Sequence, residues 1–206
     1  MPYNKSHKLA SKYRILKSAT KLFFLKGFEK VSITQIMQDA RMTHGAFYAH
    51  FKSKEALYSE SFLASLKTNR TARLVKAPLS VQHLAALVTN YAQLREMGRS
   101  TDPGPESVLF NEIGNANPSI SSLFNTSYEH LKKMIETRIT ALEKIRKRPQ
   151  SGADAIAEQA RAILVILVGA ITVARQIPSD DERHRILLAA QKQILALFEA
   201  RTSTIT

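Results

Sequence analysis

The sequence predicts an all-α protein of about nine helices. Three observations carry that reading. Apolar residues recur three and four apart over most of the 206 positions. Glycine and proline, seven each, fall mostly between those stretches. No period-two alternation stands out as a strand.

The helices follow in order. The first covers about Ser6–Lys26, with Ile15, Leu16, Ala19, Leu22 and Phe23 on one stripe. Gly27 follows it, where a helix end favours a residue that tolerates positive φ. The second is about Ile33–Ala40, opened by an S-x-x-Q capping box of Ser32 and Gln35. A short third covers about Thr43–Phe51. A fourth starts near Ser53 and carries Leu57, Tyr58, Phe62 and Leu66. Lys76-Ala77-Pro78 breaks the pattern, and Ser80 can cap a fifth helix with Leu84, Leu87, Val88, Tyr91 and Leu94. Residues 98–105 are the clearest loop. A sixth helix is about Glu106–Ile113. Pro118 opens a seventh, running through Leu123, Phe124, Leu131, Ile135 and Leu142 to a basic cluster at 144–148. Cations suit a helix C-terminus as well as they suit DNA. Ser151 and Asp154 read as a second capping box. The last two helices are about Ala153–Gln176 and Asp180–Ala200, with Pro178, Ser179 and Glu182 marking the start of the latter.

Thirty Lys and Arg against seventeen Asp and Glu give a net charge of +13 and a pI near 10.1. Such a balance suits a polyanion, nucleic acid first and an anionic membrane second. Residues 1–54 hold eleven of the cations and only two acids, a net of +9, against +4 for the other 152 residues. A charge run can be a plain solvated face, but concentration in one segment favours a nucleic-acid module. The absence of cysteine excludes disulfides, thiolate metal sites and cysteine nucleophiles. The polar, basic N-terminus has no apolar signal region. The longest apolar run, Ala162–Ala174, is thirteen residues, against about twenty for a membrane span. A cytoplasmic protein with no membrane partner is expected. The six histidines lack metal-binding spacing, and no P-loop, G-x-S-x-G or G-x-G-x-x-G occurs. Asp180-Asp181 reads as a first-turn charge at a helix N-terminus. No metal, no cofactor and no enzymatic activity are expected.

Two short helices joined at Arg41-Met42 fit a helix-turn-helix. Ile36, Ala40, Met42, Phe47 and Phe51 can face a core with Leu16, Leu22, Phe23 and Phe28. The other face then shows Thr43, His44, Gly45, Ala46, Tyr48, Ala49 and His50, which are small or hydrogen-bonding. Small side chains let a helix lie deep in the major groove. A purely structural three-helix subdomain fits the same pattern.

The segment VSITQIMQDARMTHGAFYAHFKSKEALYSESF resembles the DNA-binding segment of the TetR (tetracycline-repressor) family of bacterial regulators. The residues that carry the resemblance are Gly27-Phe28, Ser32-Ile33, the run Thr43 to Phe51, Lys54 and Leu57. Beyond about residue 60 the likeness is one of layout. The resemblance implies a helix-turn-helix DNA-binding domain over 1–53 and a ligand-binding and dimerisation domain over 54–206. It implies that Ser32 and Thr43 cap their helices and reach phosphates, and that Tyr48, His50 and Lys54 also touch the DNA backbone. His44, Gly45 and Ala46 would lie nearest the base edges. Arg41 stands where the family often has glycine. In left-handed geometry an arginine costs about 1 kcal/mol against glycine, so either the turn differs or Arg41 repays the strain at a phosphate.

Phe62, Leu66, Tyr91, Phe110, Asn111, Phe124 and Tyr128 combine aromatic bulk with a few polar groups, the make-up of a ligand cavity. Each also suits a filled core or a loop. The run Ala162–Ala174 is apolar on all faces, as befits a helix buried on all sides. In the TetR family the last two helices pair with their mates as a four-helix dimer interface, and Gly169 and Ala170 would permit close approach. The expected function is a homodimeric, sequence-specific repressor on double-stranded DNA, released from a palindromic operator by a small-molecule effector. The alternatives are a constitutive DNA-binding regulator with no ligand response, and a protein whose basic segment docks on anionic membrane.

Overall fold

The computed structural model describes residues 5–67, 105–145, 147 and 151–199. Among them are eight α-helices and no strand. In chain order these are α1 (Lys5–Lys26), α2 (Ile33–Asp39), α3 (Gly45–Tyr48), α4 (Lys54–Lys67), α5 (Val108–Asn111), α6 (Pro118–Ile145), α7 (Ala153–Ala174) and α8 (Asp180–Glu199). A 3₁₀ turn, Pro105–Ser107, leads into α5. The helix expected after Ser80, with Tyr91, and the 98–104 part of the expected loop lie outside the described residues. The other eight expected helices are all present.

The chain divides into two compact units, each made of two stretches of chain. The first unit joins Met1–Leu74 to Asp102–Ser127; the second joins Val75–Thr101 to Tyr128–Thr206. The first unit, the head, is built on α1. Ile15, Ala19, Phe23 and Phe24 recur at helical spacing on its inner face and are buried with Ile36, Met37, Phe47, Phe51, Leu57, Tyr58 and Phe62. The Phe23 and Tyr58 rings meet edge to face at 4.8 Å, an arrangement their quadrupoles favour. Gly27 ends α1 with φ +87°, as expected of that position. It has a second use: a Cβ there would stand 3.3 Å from the Asn111 Cβ. The missing side chain lets the last residue of α5 and the segment that follows it reach the end of α1.

That segment is tied down by polar contacts. Asn111 donates through Nδ2 to the Phe24 carbonyl at 2.7 Å. The buried Glu112 accepts the Phe28 N–H at 2.7 Å and the Tyr58 hydroxyl at 2.9 Å through Oε1, and the Asn115 amide at 2.9 Å through Oε2. Burial and the Glu112 carboxylate both push the Tyr58 hydroxyl's pKa far up, so it stays a donor. A carboxylate removed from water is tolerable only when so partnered.

In the second unit α7 packs along α8. Ile163, Leu164, Leu167, Ile171 and Ala174 of α7 are buried, as are Leu187, Ala190 and Ile194 of α8. Gln159 donates to the Leu197 carbonyl at 2.7 Å. Ser179 caps α8 as expected, accepting the Glu182 N–H at 3.3 Å. The capping box expected at Ser151 and Asp154 does not form: Gly152 is the N-cap of α7 and makes no side-chain cap. The Ser151 hydroxyl instead donates to Glu143 at 2.6 Å, because a carboxylate is the stronger acceptor.

The apolar run of α7 is not buried on all sides. Val165 is 70% exposed and Val173 50%, with the exposed Gly169 between them. By length and composition α7 could also cross a membrane, its mean hydropathy reaching 1.8. Packing on α8 gives one of its faces a different partner.

Candidate nucleic-acid interface

The site is the α2–α3 pair and the residues that hold it. Ser32 opens α2 with the expected capping box. Its hydroxyl accepts the Gln35 N–H at 3.2 Å, and the Gln35 side chain accepts the Ser32 N–H at 2.9 Å. At the other end the Arg41 N–H donates to the Gln38 carbonyl at 3.0 Å and the Met42 N–H to the Met37 carbonyl at 2.9 Å. This pairing is the Schellman motif, whose C′ residue sits in left-handed geometry. Arg41 fills that position with φ +53°. Its carbonyl and that of Ala40 each accept from Arg14 Nη2, at 3.0 and 2.7 Å. Arg14 of α1 therefore clamps the turn from the head side, while the Arg41 side chain stays exposed.

α3 is shorter than the expected Thr43–Phe51. It holds four α-helical residues, entered through i→i+3 bonds from the Ala46 N–H to the Thr43 carbonyl and from the Phe47 N–H to the His44 carbonyl. His44, not Thr43, is the N-cap, and its side chain makes no cap bond. Phe47 and Phe51 anchor the segment in the core, with their rings stacked at 5.9 Å. That anchoring turns Thr43, His44, Gly45, Tyr48 and Ala49 to solvent. Ala46 is half-buried and packs against the head core. His44 and Tyr48 lie edge to face at 5.8 Å, so the two rings form one outward ridge.

Gly45 is the informative residue. Its backbone is ordinary helix, and a Cβ would meet nothing within 4 Å. Nothing inside the head requires glycine there. A small residue at that point leaves room for something outside.

The surrounding field is positive. Lys8 and Lys12 of α1 lie near enough to His50 to lower its pKa, after the larger effect of partial burial. Lys12 is taken up by Glu60 at 2.7 Å, and Lys21 by Asp39 at 3.3 Å. Lys8, Arg41 and Lys52 are exposed and form no ion pair among the described residues. Lys54 differs from its sequence-based picture. Its Nζ stands 4.1 Å from the centre of the Phe28 ring, half-buried, and desolvation lowers its pKa. Its charge thus has an internal cation–π contact as well as any external use. Ser53, the N-cap of α4, accepts the Ala56 N–H at 3.1 Å and directs Lys54 there.

The structure brings Ser32, Arg41, Thr43, His44, Gly45, Tyr48, His50 and Lys54 onto the two short helices and their flanks. Arg14, Lys8 and the Glu112 segment were missed. Arg14 and Glu112 act through contacts 26 and 84 residues apart, which no local pattern shows. The net basic charge of the first helix is the one signal that could have found Lys8.

The expected ligand residues do not group in this way. Phe62 is wholly buried in the head core, Leu66 and Phe124 pack against that core, and the Asn111 amide is bonded to Phe24. Phe110 is buried in the head. Tyr128 belongs to the second unit, where Lys132 Nζ lies 5.6 Å from its ring centre. Tyr91 is outside the described residues. No group of metal-ligating side chains occurs among the described residues.

Comparison with known proteins agrees with this geometry. The family described as "Bacterial regulatory proteins, tetR family" matches residues 15–60. The uncharacterized HTH-type transcriptional regulator YerO of Bacillus subtilis is 50% identical over 46 residues, which are 22% of this chain and 16% of that protein. The chain therefore matches only a small part of that relative's length. Likeness of fold extends further. A TetR-family transcriptional regulator from Cytophaga hutchinsonii superposes with a TM-score of 0.70 at 18% identity, covering 95% of this chain and 98% of that one. The transcriptional regulator FadR of Bacillus subtilis, solved in complex with stearoyl-CoA, gives 0.59 at 13% identity, covering 94% and 99%. Over residues 15–60, the helix-turn-helix head, the chain is thus similar in sequence to the tetR family of bacterial regulatory proteins, and over most of its length it shares their fold.

Proposed function

We propose that the chain is a homodimeric transcriptional regulator, not an enzyme, acting in the cytoplasm on double-stranded DNA. The observation that carries this is the outward face of α3: His44, Gly45, Tyr48 and Ala49 stand clear of the head, and Gly45 has no internal reason to be glycine. His44 and Gly45 lie against base edges, with Ala46 at the margin. Ser32, Arg41, Thr43, Tyr48, His50 and Lys54 meet phosphates, which position a reading helix without specifying sequence. Arg41 already occupies left-handed geometry, so a phosphate contact is a reason to keep arginine there.

The dimer forms through α7 and α8. Val165, Val173 and Leu188 are apolar and exposed, and a Cβ at Gly169 would meet nothing within 4 Å. A second copy of the pair buries this stripe. Two recognition helices then face successive turns of an inverted repeat, about 34–36 Å apart. The mode is repression, lifted when a small molecule binds the second unit and favours a conformation with the wrong spacing. A solved protein of the same fold, FadR, holds stearoyl-CoA, which supports small-molecule binding by this architecture. Selection from a random duplex library tests the reading. The expected product is one inverted repeat with half-sites about 10 bp apart. Recovery of unrelated duplexes in proportion to their abundance would reduce the head to a non-specific basic surface.

A further inference from the structure

Arg138 lies on the inner face of α6, in the second unit, and is only 6% exposed. Its Nε and Nη2 atoms are sealed from solvent and have no hydrogen-bond partner. It makes no ion pair among the described residues. Burial lowers its pKa, yet a guanidinium keeps its proton in any protein interior. Among the described residues, then, this buried positive charge has no anionic partner. Breaking up a buried ion pair so as to leave such a charge is among the more damaging changes a fold can suffer, and an apolar residue of similar volume would serve packing better.

The two free donors are informative in their geometry. Nε–H and Nη2–H leave the same edge of the planar group in parallel. They form the fork that the two oxygens of a carboxylate accept side by side. Leu131 and Ile135, at seven and three residues before Arg138, share its helix face and are buried. His130, two turns earlier, also has a buried Nε2 without a partner. The nearest buried acid on α6, Glu143, is already bonded to Ser151. One uncompensated cation on an apolar face calls for one negative charge on an apolar body.

We propose that Arg138 binds the carboxylate of an organic monocarboxylic acid, with His130 as a further polar contact along the same face. This names the effector class of the second unit and rests on reading that unit as the sensor. A phosphate dianion would leave a charge unbalanced in the same place.

The test uses the full-length protein and four probes: octanoate, 3-phenylpropanoate, and the neutral alcohols octan-1-ol and 3-phenylpropan-1-ol. Calorimetric titration should show at least one acid binding about tenfold or more tighter than its alcohol, as a charge-assisted fork requires. Arg138→Met should abolish that preference and, in the absence of any probe, raise the melting temperature, because it removes an unbalanced buried charge. A residue with a merely structural partner would instead lower it. Arg138→Lys keeps the charge without the fork and should retain only weak acid preference. Equal binding of acids and alcohols by the wild type, an unchanged preference in Arg138→Met, or a less stable apo Arg138→Met would each overturn the proposal. Binding to the selected duplex is measured on the same preparations. A wild type that binds DNA specifically but ignores the acids defeats this inference alone. One that binds no duplex specifically defeats the regulator reading, whatever the acids do.

Discussion

The two units treat buried charge in opposite ways. Glu112 in the head is buried and receives three donors, from Phe28, Tyr58 and Asn115. Arg138 in the second unit is buried, and its Nε and Nη2 donate to no acceptor. The head sets its phenylalanines inward and offers solvent a polar ridge of His44 and Tyr48. The α7–α8 pair leaves Val165, Val173 and Leu188 in the open. The buried carboxylate of the head is thus satisfied within the head. Among the described residues of the second unit, the Nε and Nη2 of Arg138 lack an acceptor, and Val165, Val173 and Leu188 lie uncovered.

The contrast can be broken most severely at Glu112. Glu112→Leu strands the Phe28 N–H and the Tyr58 hydroxyl in the core, and should cost about 3–5 kcal/mol of head stability. Urea unfolding followed by circular dichroism measures it. A loss under about 1 kcal/mol would mean that the carboxylate is not what holds residues 111–117 to the head.

Next comes Gly169→Arg. The position is open within one chain and lies in mid-helix, so the substitution should leave helicity intact and even favour it slightly. In a dimer it inserts bulk and charge into a packed contact, at several kcal/mol. Sedimentation velocity should show a folded monomer. A dimer of unchanged affinity would place the interface elsewhere.

Gly45→Ala sharpens the comparison on the head side. It should stabilise the isolated protein by up to about 1 kcal/mol, since alanine is the better helix former and the space is free. It should weaken binding to the selected duplex by roughly tenfold, as one methyl group intrudes on the base edges. Thermal melts and anisotropy titrations on one preparation separate the two effects. Unchanged DNA affinity would remove the reason offered for the glycine.

The smallest expected effect is a pH dependence at His50. Partial burial, then Lys8 and Lys12, lower its pKa in the folded chain. The unfolded state therefore takes up the proton first as pH falls through about 6.5, and stability declines over that window. His50→Gln should flatten this slope. A phosphate beside His50 would oppose the lysines and favour the cation. DNA affinity should then rise as pH falls from about 7.5 to 5.5 in the wild type, more than in the variant. Parallel curves for the two proteins would take His50 out of the interface.

Much of the head was legible because its signals are local. The Ser32–Gln35 box, the Gly27 helix end and the inward phenylalanines all depend on neighbours within a turn or two. The length of α3 was overestimated because an amphipathic pattern continues through the 3₁₀ entry at Thr43 and His44 and the turn at His50. Ser151 was misassigned because its stronger acceptor, Glu143, lies on the preceding helix. The attachment of residues 105–127 to the head was invisible for the same reason at greater range: the Glu112–Phe28 contact joins residues 84 apart. Phe62 and Asn111 looked like cavity lining because a buried aromatic and a structural amide have the same sequence signature as a ligand pocket. The α7 run was apolar enough to imply full burial, and only the structure shows which of its faces a single chain leaves open.

The central claim, that the exposed end of α3 reads sequence, is tested most directly by one ratio. Wild type and His44→Ala are each titrated by fluorescence anisotropy against the selected duplex and a scrambled one, at three salt concentrations. His44→Ala should lose about 1–3 kcal/mol on the selected duplex, with scrambled binding and the salt slope unchanged. A specificity ratio equal to that of the wild type would contradict the account, and would leave His44 a bystander on a surface that binds only phosphates.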